Sequence, residues 1–302
     1  MLPFARVSII GLGLIGSSIA RAVRQHMPTV RLTGHDADPD VRARAEQLGF
    51  LDDVTDTPGA AVTDADLVVL CVPVGAMGAA AEAIAGDLPA DAIVSDVGSS
   101  KASVIAALQA ALPGATIVPA HPVAGTENSG PDAGFATLFH GRWCIVTPPD
   151  GVPAAAVARV RAFWEALGAD VEMMDARHHD LVLAVTSHLP HLIAYTIVGT
   201  ASDLEEVTRS EVIKYSAGGF RDFTRIAASD PTMWRDVFLS NKEAVLEMLQ
   251  RFSEDLTALQ RAIRWGDGDR LFDLFTRTRA IRRSIIEQGQ DDERPDFGRA
   301  HE

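Results

Sequence analysis

Cysteine is almost missing: the 302 residues hold only two, Cys71 and Cys144. Each lies in an apolar run, VVLCVP and WCIVTP, which predicts reduced, buried thiols rather than a disulfide or a metal ligand. Positive charge is scarce as well. Lys and Arg total 27 against 41 Asp and Glu, a formal charge of -14, so the global field attracts neither nucleic acid nor an anionic membrane. No apolar run is expected to reach the roughly 20 residues that span a bilayer. A strand-like run begins at Val7 with no secretory leader visible before it, and the cytoplasm is the expected location. Neither HExxH nor a paired-cysteine spacing occurs, so no metal site is expected. Collagen-like periodicity and internal repeats are absent too. What remains is 47% hydrophobic and 23% charged, which excludes a wholly disordered chain.

The first half alternates short apolar runs with helical stretches. Strands are predicted at Val7–Ile10, Arg31–Asp36, Asp66–Val74, Ala92–Val97, Ala115–His121 and Arg142–Pro148, with DVEMMD closing the series. Helices are predicted over 39–48, stopped by Gly49, over 102–112, and from Pro153 to near Gly168. Continuous apolar strands separated by helices predict a doubly wound α/β parallel sheet of the Rossmann type. From Asp175 strand-like runs nearly vanish, and residues 177–200, 231–265 and 267–288 carry apolar residues at helical spacing. The expected division is therefore a dinucleotide-binding domain over 1–174, an all-helical substrate and dimerisation domain over 175–290, and a charged tail over 291–302. Helices this long and apolar imply faces covered by a partner subunit.

Gly11-Leu-Gly13-Leu14-Ile15-Gly16 joins the first predicted strand to the first predicted helix, and Asp36 ends the next strand twenty positions after Gly16. Gly11 permits the tight turn, Gly13 lets a pyrophosphate approach the backbone, and Gly16 allows close helix–strand contact. The start of the helix, with Leu14 and Ile15, offers free N–H groups to the pyrophosphate. Asp36 can accept hydrogen bonds from both ribose hydroxyls and would repel a 2′-phosphate, so NAD is expected rather than NADP.

Three motifs concentrate polar residues: Asp96-Val-Gly-Ser99-Ser100-Lys101, His121-Pro-Val-Ala-Gly125-Thr126-Glu127-Asn128, and Ser187-His188-Leu-Pro190-His191. The first two fall at expected strand ends, where open α/β sheets bind ligands. The third lies in a helix, where Pro190 removes one hydrogen bond and is expected to kink the chain. His178-His179 is expected at the surface, His188 in a packing or supporting role, and RTRAIRR (Arg277–Arg283) on a solvated helix face. The four tryptophans are expected to be structural.

Together with GGFRDFTRIAASDPTMWRD (Gly218–Asp236), these motifs resemble the TyrA family of prephenate and arogenate dehydrogenases over nearly the whole chain. The resemblance implies an NAD-binding Rossmann domain, a helical domain that forms a homodimer, and oxidative decarboxylation of a cyclohexadiene ring acid on the route to tyrosine. By motif it implies His121 as catalytic histidine and Ser99 as the serine that helps place the ring hydroxyl. His191 then lies in the substrate pocket, Arg225 binds a substrate carboxylate, and Thr126 and Glu127 line the cleft. Trp234 is expected to buttress Arg225. Arg221 stands where members can carry Lys, with the charge kept. No regulatory domain is expected after the helical one, so any feedback by tyrosine would act at the active site. Two alternatives remain open. A β-hydroxyacid-type dehydrogenase shares the architecture but uses a catalytic lysine; Lys214 and Lys242 are the only lysines in the helical part, and neither sits in that motif. A non-enzymatic NAD-responsive sensor has no use for the histidine and arginine.

Overall fold

Valine, isoleucine and leucine dominate the predicted strands, and in the structure, a computed structural model, they build a six-stranded parallel sheet. Residues 2–126, 128–203, 211, 214 and 218–287 are described. The expected charged tail over 291–302 and Glu127 lie outside them. Strand order is β3-β2-β1-β4-β5-β6, from β1 (Arg6–Ile10), β2 (Arg31–His35), β3 (Asp53–Val54), β4 (Leu67–Leu70), β5 (Ile93–Asp96) and β6 (Thr116–Ile117). Successive strand residues point to opposite faces, so β4 serves two cores. Leu67 and Val69 join one apolar cluster, and Val68 and Leu70 join the other. Both faces are thus covered, as a parallel sheet with no polar face requires.

The helix over 39–48 shows how closely local chemistry sets boundaries. Asp38 accepts the N–H of Asp40 at its start, Pro39 opens it, and Gly49 ends it at φ 66°.

Two expectations need correction. The run Ala115–His121 is not one strand. Pro119 interrupts it, because proline cannot donate to a ladder. β6 ends at Ile117, and β7 (Ala120–Pro122) starts a second sheet with β8 (Trp143–Val146) and β9 (Asp170–Met173). In that sheet β7 and β8 are antiparallel, with His121 opposite Ile145. His121 therefore sits within a short strand of the second sheet.

The second correction concerns length. Ala176–Ser202 forms a helical stretch of 27 residues whose most apolar window has mean hydropathy 1.6, long and apolar enough to cross a membrane. It runs as α7 (Ala176–Leu183), a π-helical turn (Ala184–His188) and α8 (Leu189–Ser202). Pro190 lacks an N–H, and the π turn is where the ladder shifts register instead of breaking. Polar groups line one side of this stretch: His179, Asp180 and His188 are all buried.

The helical expectation over 231–265 resolves into α10 (Pro231–Ser240) and α11 (Lys242–Trp265), broken at Asn241, and α12 follows (Gly268–Glu287). Ahead of them α9 covers Gly218–Thr224. By compactness the chain forms two units, Met1–Leu246 and Glu247–Glu302. The first holds both sheets and every candidate site residue. Both cysteines are free thiols, with Cys144 buried and Cys71 partly so; burial pushes both thiols up. Trp164 and Trp234 are buried, whereas Trp143 and Trp265 are exposed.

Candidate active site

The glycine turn meets the requirements of a dinucleotide cradle. Gly11 adopts φ 99°, and a Cβ there would collide with the Cys71 carbonyl. A Cβ on Gly16 would overlap the Gly11 carbonyl oxygen, so glycine is forced by close approach. At Gly13 the same test meets open space, which is where a ligand can lie against the backbone. Helix α1 (Leu14–His26) begins there with Gly13 as N-cap and no side-chain cap. Its first N–H groups, including those of Leu14, Ile15 and Gly16, are left to an anion.

Asp36 leaves β2 beside this turn. Its Oδ2 accepts the Leu12 N–H at 2.8 Å and its Oδ1 the Asp38 N–H at 3.0 Å. An ionised carboxylate keeps further lone pairs for the hydroxyls of a ribose. These residues fit a nicotinamide dinucleotide with an unphosphorylated adenosine ribose.

The loop after β5 is anchored by a buried ion pair. Lys101 and Asp96 are both fully buried; Lys101 Nζ donates to Asp96 Oδ2 at 2.5 Å and to the Ala120 carbonyl at 2.7 Å. The ammonium thus ties the Ser99 loop to the residue before His121. Ser99 itself is partly exposed.

His121 is 8% exposed, and its Nδ1 lies 2.9 Å from His179 Nε2. The His179 Nδ1 in turn lies 2.9 Å from Asp180 Oδ1. This overturns the surface expectation for His179, which is fully buried; His178 remains exposed. The missed signal was helical spacing. His179 and Leu183 are one turn apart on the buried side of α7, with Asp180 beside them. Burial, then the neighbouring His179, Lys101 and His188, hold His121 well below the ordinary imidazole value. Desolvation likewise lowers His179, against the opposing pull of Asp180. Both rings are therefore neutral near pH 7.

The helical residues form a second cluster within the same unit. His188 is buried, its Nδ1 lies 3.1 Å from Asn241 Nδ2, and burial pushes it down to about 4. Asn241 also donates to the Asp180 carbonyl at 2.7 Å, so the break between α10 and α11 supplies a buried polar link. His191 Nδ1 lies 2.8 Å from the Ser187 carbonyl, and the ring stacks on Trp234 with centroids 3.6 Å apart. Trp234 thus packs on His191. Arg225 is exposed, begins a 3₁₀ turn (Arg225–Ala228), and its charge lowers His191 further, after burial. Thr126 is exposed; its Oγ1 accepts the Asn128 N–H at 3.2 Å, and it lines a cavity of about 320 Å³ with Phe135, His140 and Arg142. Among the described residues no cluster of three His, Cys, Asp or Glu side chains could hold a metal ion.

Known proteins resemble this chain over most of its length. Residues 19–173 match the family model for the nucleotide-binding domain of prephenate dehydrogenase, and residues 175–277 match that for its dimerization domain. The chain is 49% identical over 285 residues to a cyclohexadienyl dehydrogenase of Zymomonas mobilis, covering 94% of this chain and 97% of the relative. It is 32% identical to a prephenate dehydrogenase of Bacillus subtilis, over 89% of this chain and 73% of that one. A solved prephenate dehydrogenase from A. aeolicus, in complex with hydroxyphenyl propionate and NAD+, superposes with a TM-score of 0.87 at 35% identity, covering 94% and 98% of the two chains.

Proposed function

This chain belongs to the prephenate dehydrogenase family, and we propose that it oxidises and decarboxylates prephenate, arogenate or both, with His121 as the proton acceptor. It is an NAD-dependent oxidoreductase. The observation that carries the role of His121 is its placement: a buried imidazole with Nδ1 engaged by His179 at 2.9 Å, leaving Nε2 to take a proton.

The substrate is a non-aromatic ring with a hydroxyl at C4 and a carboxylate at C1. When bound, NAD accepts the hydride that leaves C4. His121 takes the hydroxyl proton as the C4 carbonyl forms. The C1–carboxylate bond then breaks, carbon dioxide leaves, and the electron pair completes an aromatic ring. The phenolate oxygen can recover the proton from His121, so the step balances. Aromatisation supplies the driving force, and the protein positions the ring and binds its anionic groups.

Ser99 places the ring hydroxyl, Arg225 binds a substrate carboxylate, His191 lies in the substrate pocket, and Thr126 borders the cleft. With a net charge of -14, an anionic substrate needs a local cation such as Arg225. Prephenate carries a keto acid side chain and arogenate an amino acid. Comparing kcat/KM for the two with NAD tests the reading: turnover of at least one is expected, and turnover of neither overturns it.

Asp36→Ala is expected to weaken NAD by about tenfold, as two hydrogen bonds from the ribose to a carboxylate are lost. It should also narrow the preference over NADP. Equal kcat/KM for the two cofactors in the unaltered enzyme would contradict the role of Asp36.

The enzyme acts in the cytoplasm as a homodimer built by its helical domain. In support, Leu181, Val185, Ile197 and Val198 are exposed on the 176–202 stretch, as are Ile263, Phe272 and Phe275 in the second compact unit. Large apolar surface of this kind marks contact with another protein surface. Sedimentation at submicromolar concentration is expected to give about twice the 32.2 kDa chain mass; a fully active monomer would refute this.

A further inference from the structure

We infer that His179, oriented by Asp180, is a positioning residue that sets the tautomer of His121 and supports its protonated form. The inference rests on the reading of His121 as proton acceptor.

Backbone amides fix the direction of every bond in the chain. Asp180 Oδ1 accepts the Lys101 N–H at 2.7 Å, and Oδ2 accepts the Ala102 N–H at 2.9 Å. Amides only donate, so both carboxylate oxygens are acceptors. The same Oδ1 faces His179 Nδ1 at 2.9 Å, and that nitrogen must carry the proton. A neutral His179 then has a bare Nε2, which accepts from His121 Nδ1–H at 2.9 Å. His121 is left with a bare Nε2, the form a general base needs.

The arrangement also answers an electrostatic problem. His121 is surrounded by groups that oppose a positive charge: His179 whenever its own ring is charged, Lys101, reaching the carbonyl of the preceding residue, and His188 on the helical side; a neutral His179 instead offers Nε2 as an acceptor. Asp96 is committed to Lys101, and the buried thiol of Cys144 lies on the neighbouring strand. The compensating route for charge on His121 runs through His179 to Asp180. The proton arriving on Nε2 is supported by the Nδ1–H···Nε2 bond, and the Asp180 carboxylate holds His179 in the tautomer that makes this bond and stabilises the imidazolium electrostatically.

Asp180 has a second task that explains its placement. It caps the first turn of α5 (Ala102–Ala111) from 78 residues away in sequence. The carboxylate that orients the histidines is thereby locked to the Ser99–Lys101 loop, and the base and that loop are aligned by one group.

The test uses the full-length enzyme with NAD and whichever of prephenate or arogenate it turns over. His179→Leu removes both contacts. His179→Gln can still offer an oxygen to His121 Nδ1–H but is no longer a ring held in one tautomer by Asp180. His179→Leu is expected to lower kcat by at least about tenfold with KM for NAD within twofold. The acidic limb of kcat/KM should move to lower pH, because the imidazolium has lost its acceptor. His179→Gln is expected to recover part of kcat. Nitrogen-15 histidine spectra of the unaltered enzyme, assigned by difference from His121→Asn, should show His121 protonated on Nδ1 and bare on Nε2 at neutral pH. The spectra and the Gln variant decide the matter even where the Leu variant does not fold. An inactive His121→Asn beside His179 variants with ordinary kcat and pH profile overturns the inference, as does a spectrum with the proton on Nε2. A fully active His121→Asn instead overturns the reading of His121 itself.

Discussion

Replacing His121 by Asn is expected to lower kcat by about a hundred- to ten-thousandfold, the usual worth of general-base help, while NAD binding stays nearly intact. The separation follows from the fold. His121 lies on β7 of the second sheet, whereas the cradle residues Gly11, Gly13, Gly16 and Asp36 belong to the first sheet and its turns. The pH dependence adds a second check. His121 works only while neutral, and its surroundings hold it well below the ordinary value of 6.5. Protonation therefore sets in at lower pH than for a free imidazole, and the acidic limb of kcat/KM should lie below pH 6.5 and vanish in the variant. A loss of less than about fivefold, with the original pH profile kept, would assign the proton to another group.

Arg225→Gln is expected to raise KM for the ring substrate by about thirtyfold. Removing one partner of a hydrogen-bonded charge pair costs about 2 to 5 kcal/mol when the pair is buried. Arg225 is exposed in the free chain, which puts the cost at the low end, about thirtyfold in affinity. The change should fall on KM, because the carboxylate is present in the ground state as well as the transition state. Arg225→Lys should rescue only in part, since an ammonium cannot form two parallel hydrogen bonds with a carboxylate. NAD affinity should stay put. An unchanged KM in the Gln variant would return the role to Arg221 or another cation.

The glycine fingerprint and the helix over 39–48 were legible in the sequence because each rests on local chemistry: backbone conformation at Gly11 and Gly49, and a side-chain cap at Asp38. The split at Pro119 was harder to foresee. A run of apolar residues gives no sign that its two halves pair with different partners, and only the ladder shows β7 turning toward β8. His179 and Asp180 escaped for a related reason. A His-His-Asp sequence opening a helix looks solvated until a strand 58 positions earlier is found to bring His121 against it. Motif resemblance had singled out His121, Ser99, His191 and Arg225, but the buried polar links between the motifs, through Lys101, Asp180 and Asn241, are tertiary. The membrane-length stretch from Ala176 was likewise hidden, since His178, His179 and Asp180 interrupt its hydropathy where the helix itself does not stop.

The central claim is that hydride transfer and loss of the ring carboxylate belong to one reaction at this site. The most direct measurement follows NADH and carbon dioxide together in a single reaction with NAD and prephenate, and again with arogenate. The account predicts one carbon dioxide for each NADH and an aromatic phenol as product with at least one of the two. NADH formed without carbon dioxide, the signature of a simple hydroxyacid dehydrogenase, would contradict it, as would the absence of NADH with both.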